Sequence, residues 1–381
     1  MISDAVAHLL ELLRIRGAPS TTDASAMWHA VSACPEYDTL LQREGATLWL
    51  YRRLHDCGVT LDSAAGATLR QSAHQQLMFG LRVDDETLAV TRILRGATIP
   101  FSPIKGPARR IAAGLYPYAD ARSTSDVDLL VPEARAIDAY DALVQHGYQP
   151  VGNPRQSRPE HFHLPALMGQ RGVAVELHTS TAPWLSPTEA WRRQSNAPDT
   201  IRWEGQDFEI SNATELLWHG MAHAFIDGAD GFRTRTFLDG AVVMASGRSI
   251  DWTCITQRIT AGEIRGAESG AAVPPRLLRR WIATAGMLAG VAAPAEFALD
   301  GEYPIARLFH WKSLVLRANV GRAARERLIE EAVRSEVGML LTPSHPGDPA
   351  WVRLRRRVAT ASARGLYVGW RATLGSARGA Q

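Results

Sequence analysis

The sequence predicts an α+β protein in which a small mixed sheet with its own helices lies between two helical regions. Apolar residues recur at helical spacing through residues 1–95, and strand patterns are missing from that region. Short β-branched, apolar stretches separated by glycine and proline are concentrated in residues 96–210. Helical periodicity returns over 211–381. We therefore expect three regions with these boundaries, the middle one an α/β module.

The two flanking regions are predicted to consist of helices. A Gly-Ala-Pro-Ser segment at residues 17–20 combines residues that commonly end a helix, so we expect the first helix to stop there. The predicted helices are 4–16, about 38–57 and about 63–95 on the N-terminal side, and 212–227, 235–247, 251–261, 275–291 and 303–336 on the C-terminal side.

The middle region alternates short predicted strands with helices. Pro107 suits the first turn of a helix, and Gly147 suits the position just after one. Gly169 and Gly172 are typical hairpin residues. The predicted strands are 98–104, 126–131, 161–167 and 173–178, with a short pair over 203–210, and the predicted helices are 107–114 and 132–147.

The composition is that of a soluble globular protein, with 46% hydrophobic and 21% charged residues among 381. A net charge of +3 gives no support to a protein that coats nucleic acid. The three cysteines are too few and too scattered for a disulfide framework. The N-terminus lacks a signal-peptide pattern, and no apolar run reaches the roughly 18 to 20 residues of a membrane span. We therefore expect a cytoplasmic protein without a membrane partner.

Lysine is scarce in this chain, because forty of its 42 basic residues are arginine. Coding bias is the simplest interpretation of that preference. The two lysines are Lys105 and Lys312, and Lys105 precedes a glycine in the middle region. A compact ammonium differs chemically from a guanidinium, so Lys105 is a candidate functional residue.

Three carboxylates are predicted to share one face of the sheet. Side chains alternate along a strand, so Asp126 and Asp128 lie on one face and aliphatic residues on the other. Glu176 lies on the polar face of a second strand. Neighbouring carboxylates raise one another's pKa, and a bound divalent cation removes that penalty. Oxygen ligands in this number suit Mg²⁺, with Mn²⁺ as the alternative.

The residues before the two aspartates add a positive charge and hydroxyl groups. Arg122, Ser123, Thr124 and Ser125 stand there, and such groups suit phosphate oxygens. A D-x-D pattern by itself is usually a solvated strand edge. The ordered combination of an apolar strand, Lys-Gly, a helix, the aspartate strand, a further helix and the glutamate strand favours a functional site.

These motifs resemble a known superfamily. The stretches I-K-G-P-A-R-R-I-A-A-G-L-Y-P at 104–117, R-S-T-S-D-V-D-L-L-V at 122–131 and V-E-L-H at 175–178 are similar to the polymerase-beta-like nucleotidyltransferases. More narrowly, the chain resembles the bacterial uncharacterised nucleotidyltransferase family of that superfamily. The resemblance implies a polymerase-beta-like core flanked by helical regions.

The resemblance also implies an activity and its residues. A member would use Mg²⁺ to transfer an NMP from an NTP to a hydroxyl group and release pyrophosphate. Asp126, Asp128 and Glu176 would be the catalytic metal ligands. Lys105 would supply charge to the β- and γ-phosphates, and Gly106 would let the backbone approach them.

One part of the pattern departs from the superfamily. Its usual signature places Gly-Ser about ten residues before the first aspartate, whereas here Lys105-Gly106 precedes Asp126 by about twenty. This spacing is similar to that of the tRNA nucleotidyltransferases. The predicted triphosphate contacts therefore match the superfamily signature less closely than the predicted metal ligands do.

Three histidines fall near the predicted carboxylates. His178 shares a strand face with Glu176, where it either orients that carboxylate, contacts the acceptor or simply ends the strand. His161 and His163 share a face of the neighbouring predicted strand. Paired histidines can bind zinc, but we favour hydrogen bonding or an acceptor site because no third soft ligand is evident.

A second group lies on the helices after the sheet. His219 and His223 are four residues apart on one helix face, and Asp239 on the next helix could pair with either. The family pattern includes similar residues here, which suggests a nucleotide or acceptor contact. A buried polar link between helices is the equal alternative.

The acceptor is a hydroxyl-bearing small molecule or peptide on this interpretation. Nucleic acid is a less favoured partner, and the basic run at residues 353–357 is interpreted as a solvated helix face. Two other functions stay open. One is a toxin-like enzyme that modifies tRNA or protein, and the other is a catalytically silent NTP-binding scaffold.

Overall fold

The computed structural model describes residues 2–34, 37–152, 162–226, 233–266 and 270–297. All of them belong to one compact unit, Met1–Asn319. The predicted helix over 303–336, the basic run at 353–357 and His161 lie outside the described residues. The predicted region boundaries near residues 95 and 210 stay a prediction.

Helices make up most of the described chain, and none of them is long and apolar enough to cross a bilayer. The described α-helices are α1 Ile2–Leu13, α2 Thr21–Ser32, α3 Tyr37–Glu44, α4 Thr47–Asp56, α5 Ala64–Gly96, α6 Lys105–Ile111, α7 Ala136–Gln145, α8 Pro187–Gln194, α9 Ala213–Ile226, α10 Thr234–Ala245, α11 Trp252–Thr260 and α12 Pro275–Ala289.

The strands form one mixed sheet and one separate hairpin, which confirms the predicted α+β class. Five strands have the spatial order β1-β2-β5-β4-β3. The central pair, β2 and β5, is parallel, and the other pairs are antiparallel. The strands are β1 Ser102–Pro103, β2 Asp126–Leu130, β3 Gln149–Pro150, β4 Leu167–Met168 and β5 Ala174–His178, followed by the hairpin β6 Asp199–Trp203 and β7 Gln206–Ile210.

Two predicted strands are much shorter than expected. The first, 98–104, pairs only at Ser102 and Pro103, because proline has no N–H for a ladder and Thr98 has a positive φ of 54°. The other, 161–167, pairs as a strand only from Leu167 to Met168. Before β4, the chain touches β5 through the isolated bridge between His163 and His178.

The N-terminal helices also differ in detail from the periodicity. The stretch predicted as one helix over 38–57 is two helices, broken at Gly45 with a φ of +66°. Helix α2 was not singled out by its pattern. Its start is nevertheless encoded, since the Ser20 side chain accepts a hydrogen bond from the Asp23 backbone N–H at 3.2 Å. The segment that ends α1 therefore also begins α2.

The two faces of the central sheet have opposite chemistry. Val127 and Leu129 of β2, with Val175 and Leu177 of β5, are buried in an apolar core. Helices α5 and α7 supply the other side of that core, which also contains Val83, Val90, Leu94, Ala139, Tyr140 and Leu143. Alternation leaves the acidic side chains of both strands on the opposite face. The long helix α5 thus packs on the apolar face of the sheet, opposite the acidic side chains.

Candidate active site

Two adjacent parallel strands carry the acidic face. The register pairs Asp128 with Glu176 and Leu130 with His178, so β5 is the direct neighbour of β2. Asp126, two residues before Asp128, points to the same face. The predicted adjacency of Glu176 to the aspartate pair is confirmed. The polar face faces α6, whose first residue is Lys105.

Asp128 is the centre of the polar contacts on this face. It is 1% exposed, and its Oδ1 accepts hydrogen bonds from Lys105 Nζ and His178 Nε2, each at 2.8 Å. Glu176 Oε2 lies 3.4 Å from His178 Nε2 and 4.0 Å from Lys105 Nζ. The four side chains therefore form one compact cluster, which we call the carboxylate cluster.

Part of the carboxylate cluster is suited to a metal ion. One ligand atom from each of Asp128, Glu176 and His178 lies within 4.8 Å of the others. The predicted set had Asp126 in place of His178. Two carboxylates and an imidazole are donors that divalent cations accept. The Lys105 ammonium contacts the same Asp128 oxygen as His178 and neutralises part of the Asp128 negative charge. Because two carboxylates and an imidazole converge here, the donor set fits a divalent cation.

The acidic groups differ in their proton affinity. Burial, reinforced by the charge of Asp128, raises the pKa of Asp126 to about 6. Burial would also raise the pKa of Asp128, but Lys105 and His178 outweigh it and hold that pKa well below its usual range. A hydrogen bond with His178 outweighs burial and lowers the pKa of Glu176. Of the two aspartates, only Asp126 therefore has the raised pKa that repulsion between them predicts.

Lys105 is held at the start of α6 by the backbone. The Ile104 N–H donates to the Asp128 carbonyl at 3.1 Å, which ties the residue before the helix to β2. Lys105 itself has a positive φ of 49°, an uncommon conformation for a residue with a side chain. Burial disfavours its charge, but Asp128 overcomes this effect and raises the pKa of Lys105. Its ammonium is thus fixed on the acidic face.

Gly106 lies where there is no room for a side chain. A methyl group at this position would be 2.0 Å from the Thr124 hydroxyl oxygen and 2.9 Å from Arg122 Nη1. The predicted role of Gly106 was close approach to phosphate. In the described structure, the Gly106 backbone closely approaches Arg122 and Thr124, in the segment that leads into β2.

Replacing Gly106 with alanine is expected to lower the free energy of unfolding by about 2 kcal/mol, because the new methyl group displaces Thr124. Gly96→Ala is the matched control, since nothing lies within 4 Å of its added methyl group. For that control we expect no loss, and a gain of up to about 1 kcal/mol. Urea titration followed by circular dichroism measures both. Equal stabilities of the two variants would contradict the steric argument.

The other predicted phosphate residues lie in three different settings. Arg122 Nε donates to both carboxylate oxygens of Asp239, at 2.9 and 3.0 Å. The Ser123 hydroxyl lies against Gly45, and the Ser125 side chain is exposed. The structure therefore joins Arg122 to α10, while the two serines face different neighbours.

One alternative predicted a pair between Asp239 and a histidine of α9, but the described partner of Asp239 is Arg122. Its carboxylate is bound by Arg122, and both side chains are 13% exposed. Burial disfavours the Arg122 charge, but Asp239 outweighs this effect and raises the pKa of Arg122. The pair therefore connects the segment before β2 to α10.

The predicted histidines fall into two groups. His163 lies beside His178, with ring centroids 5.2 Å apart. His219 and His223 on α9 have ring centroids 5.0 Å apart. Burial lowers the pKa of His219 well below its usual value, with smaller effects from His223, Lys105 and His178. His219 is therefore neutral at neutral pH and lies within electrostatic reach of the carboxylate cluster.

Arg109 was missed at the sequence level. Arg109 is 4% exposed, and its Nη2 donates to the Leu216 carbonyl at 3.0 Å, which links α6 to α9. The available signal was an arginine that directly follows the small residues of the K-G-P-A-R motif. Thr124 was among the hydroxyl groups expected to suit phosphate, but its contact with Gly106 was not predicted, because it arises only when α6 packs on β2.

One family model matches the chain, over residues 34–273, and its description is "Uncharacterised nucleotidyltransferase". The match begins between α2 and α3 and ends just before α12. Neither a curated protein nor a solved structure matches the chain.

Proposed function

The chain belongs to the uncharacterised nucleotidyltransferase family, and from that premise we propose that it transfers an NMP from an NTP to a hydroxyl-bearing small molecule or peptide, with release of pyrophosphate. The observation that carries this proposal is the position of Asp128, Glu176 and His178, whose ligand atoms lie within 4.8 Å of one another. Nucleotidyl transfer needs compensation of phosphate charge, and this face of the sheet concentrates the groups that supply it.

The metal expected in this family would be held by Asp128, Glu176 and His178, together with Asp126. Asp128 and Glu176 are adjacent across β2 and β5, and His178 contacts both. We propose Mg²⁺ as the natural ion and two ions as the working number. When bound, the metal supplies positive charge to phosphate oxygens and lowers the pKa of the attacking hydroxyl.

The chain's own cations would bind and orient the triphosphate. Lys105 lies at the cluster with a raised pKa, so it stays charged at neutral pH and can neutralise the β- and γ-phosphates. Arg122 is held by Asp239 at the entry to β2, near enough for Asp126 and Asp128 to influence its pKa. Both cations are positioned before a substrate arrives, which reduces the entropic cost of binding.

Glu176 would act on the acceptor hydroxyl. Its lowered pKa keeps it ionised at neutral pH, so it can accept a hydrogen bond and then the proton of the attacking hydroxyl. The acceptor oxygen forms a bond to the α-phosphorus while the bond to the bridging oxygen of the leaving pyrophosphate breaks. His178 fixes the orientation of Glu176 through their 3.4 Å contact.

The test is a pyrophosphate-release assay with each of the four NTPs, with Mg²⁺ or Mn²⁺, in the presence of a metabolite extract. We expect release with at least one NTP, and mass spectrometry of the extract should detect an NMP-sized adduct. Nucleotide binding without pyrophosphate release or adduct would contradict the proposal and favour a silent NTP-binding protein. An adduct on tRNA or protein alone would favour the toxin-like alternative.

A further inference from the structure

A cavity of about 240 Å³ has a wall that begins at Thr181, three residues after His178 of the carboxylate cluster. Its lining comes from the segment after β5, from α8, from α9 and from the chain after α11. We call it the Trp184 cavity, and its lining includes Thr181, Trp184, Leu185, Trp218, His219 and Ala222. The first lining segment follows the end of β5, the strand that carries Glu176.

His219 connects the Trp184 cavity to the carboxylate cluster. It lines the cavity together with Thr181, which follows His178 by three residues along the chain. Its Nε2 is buried and has no hydrogen-bond partner among the described residues. A buried polar atom normally has a partner, so this nitrogen is available to a ligand.

The charged residues around the Trp184 cavity mostly satisfy one another. Arg193 Nη1 lies 2.8 Å from Glu263 Oε2, and Arg193 also pairs with Glu189. Glu215 pairs with Arg258, whose guanidinium also covers the Trp218 ring at 5.5 Å from its centroid. These pairs balance the charge in this part of the wall, so they favour neither an anionic nor a cationic ligand.

The uncharged wall of the Trp184 cavity has the character of a small-molecule site. Trp184 and Trp218 present aromatic surface, and Leu185 and Ala222 add apolar surface. Small-molecule sites typically combine such walls with a few polar groups that fix orientation. Here His219 and Thr181 supply such polar groups. The cavity volume suits a single ring with its substituents, and it is too small for a whole NTP.

We propose that the Trp184 cavity is the acceptor subsite, and that it binds an uncharged, ring-containing alcohol or phenol whose hydroxyl group contacts His219. This proposal rests on the proposed nucleotidyltransferase function. The groups proposed to bind phosphate, Lys105 and Arg122, are not part of the cavity wall. The wall instead continues from the strand with Glu176, the residue proposed to take the hydroxyl proton.

The reaction balances without a further reagent. The acceptor oxygen bonds to the α-phosphorus, the α–β bridging P–O bond breaks, and pyrophosphate leaves with the electron pair. The hydroxyl proton passes to Glu176 and then to water. The product is a neutral ring joined to an NMP through a phosphodiester bond.

The first test uses 4-fluorophenol as a probe, with the full chain and fluorine NMR. We expect saturable binding with a Kd on the order of 1 mM, as is usual for a ligand of this size. We expect 4-fluorotoluene to bind about fivefold more weakly, because its methyl group cannot bond to His219 Nε2. The His219→Phe variant should lose this preference. Absence of saturable phenol binding, or an unchanged preference in the variant, would overturn the proposal.

The second test locates the probe. Ala222→Phe fills the Trp184 cavity from α9 and should raise the Kd for 4-fluorophenol at least about tenfold. Ala67→Phe makes the same change at an exposed position on α5 and should leave the Kd unchanged. Leu185→Trp fills the cavity from the preceding loop and serves if Ala222→Phe fails to unfold cooperatively. If 4-fluorophenol bound Ala222→Phe and Ala67→Phe with equal affinity, the probe would bind outside the Trp184 cavity and the proposal would be wrong.

The two proposals fail in different ways. If 4-fluorophenol binds in the Trp184 cavity but no NTP yields pyrophosphate with any acceptor, the cavity is a binding site and the nucleotidyltransferase proposal is wrong. If an NTP yields pyrophosphate and an adduct in wild type and equally in Ala222→Phe, the enzyme works and this cavity is not its acceptor subsite. Loss of adduct in Ala222→Phe with unchanged NTP binding is the expected result.

Discussion

Replacing Asp128 with asparagine is expected to lower nucleotidyl transfer about 1000-fold, because metal coordination at this carboxylate contributes several kcal/mol to the transition state. Asp128 is 1% exposed and accepts hydrogen bonds from both Lys105 and His178. Asparagine keeps the shape and one acceptor oxygen but removes the negative charge. The free energy of unfolding should also fall, because Lys105 loses its carboxylate partner, so circular dichroism must first show that the variant is folded.

The control for this prediction is Asp138→Asn on α7. Asp138 is 61% exposed and pairs only on the surface with Arg135, so the same change of charge should leave the rate within a factor of two or so. Manganese titration followed by electron paramagnetic resonance adds a readout independent of turnover. We expect weaker Mn²⁺ binding in Asp128→Asn than in Asp138→Asn. Full activity of Asp128→Asn would exclude the proposed chemistry.

Replacing Asp239 with asparagine is expected to lower the free energy of unfolding by about 3 kcal/mol, because it leaves the Arg122 guanidinium without its carboxylate. Arg122 Nε contacts both oxygens of Asp239, and each side chain is only 13% exposed. Burial disfavours the Arg122 charge, and Asp239 offsets that cost. The effect is larger than that of a surface ion pair because water cannot solvate the remaining charge.

Asp207→Asn is the matched control for Asp239→Asn. Asp207 pairs with Arg202 on the surface hairpin, and both side chains are more than half exposed, at 63% and 70%. Its removal should change the free energy of unfolding by at most about 1 kcal/mol. Urea unfolding of both variants, and of Arg122→Met with and without Asp239→Asn, isolates the pair. Additive losses in the double variant would show that the contact contributes nothing.

If Asp239 acts only through Arg122, its replacement should also weaken NTP binding while leaving Mn²⁺ binding unchanged. The metal ligands proposed here lie on β2 and β5, whereas Asp239 lies on α10. A variant that loses metal and nucleotide affinity together would instead indicate a general collapse of the site. Measuring both ligands separates a positioning residue from a structural one.

Strand periodicity was sufficient to predict the acidic face. Val127 and Leu129 are fully buried behind the sheet, and Asp126 and Asp128 alternate with them on the other side. The same argument placed Glu176 on its strand, and the strand pairing bore out its adjacency to Asp128. Alternation is a local property of the backbone, so it can be read from neighbouring residues without knowledge of the fold.

The partners of the charged residues could not be predicted in this way. Arg122 and Asp239 are separated by 117 residues, and Lys105 and His178 by 73, yet each pair belongs to the same site. The predicted metal group was Asp126, Asp128 and Glu176, whereas the group with metal-ligand spacing contains His178 and not Asp126. Asp128 lies opposite Glu176, and the His178 side chain reaches both carboxylates. Such distances depend on register and on the direction of each side chain.

The sequence by itself determined which residues are acidic and basic, which faces of the strands they occupy, and the helices that flank the sheet. Only the tertiary structure decided that α6 brings Lys105 onto Asp128 and that α10 supplies Asp239 to Arg122. It also decided that α8 and α9 enclose the Trp184 cavity. The physical reason is that periodicity follows from local backbone geometry, whereas contacts between distant segments follow from how buried surfaces pack.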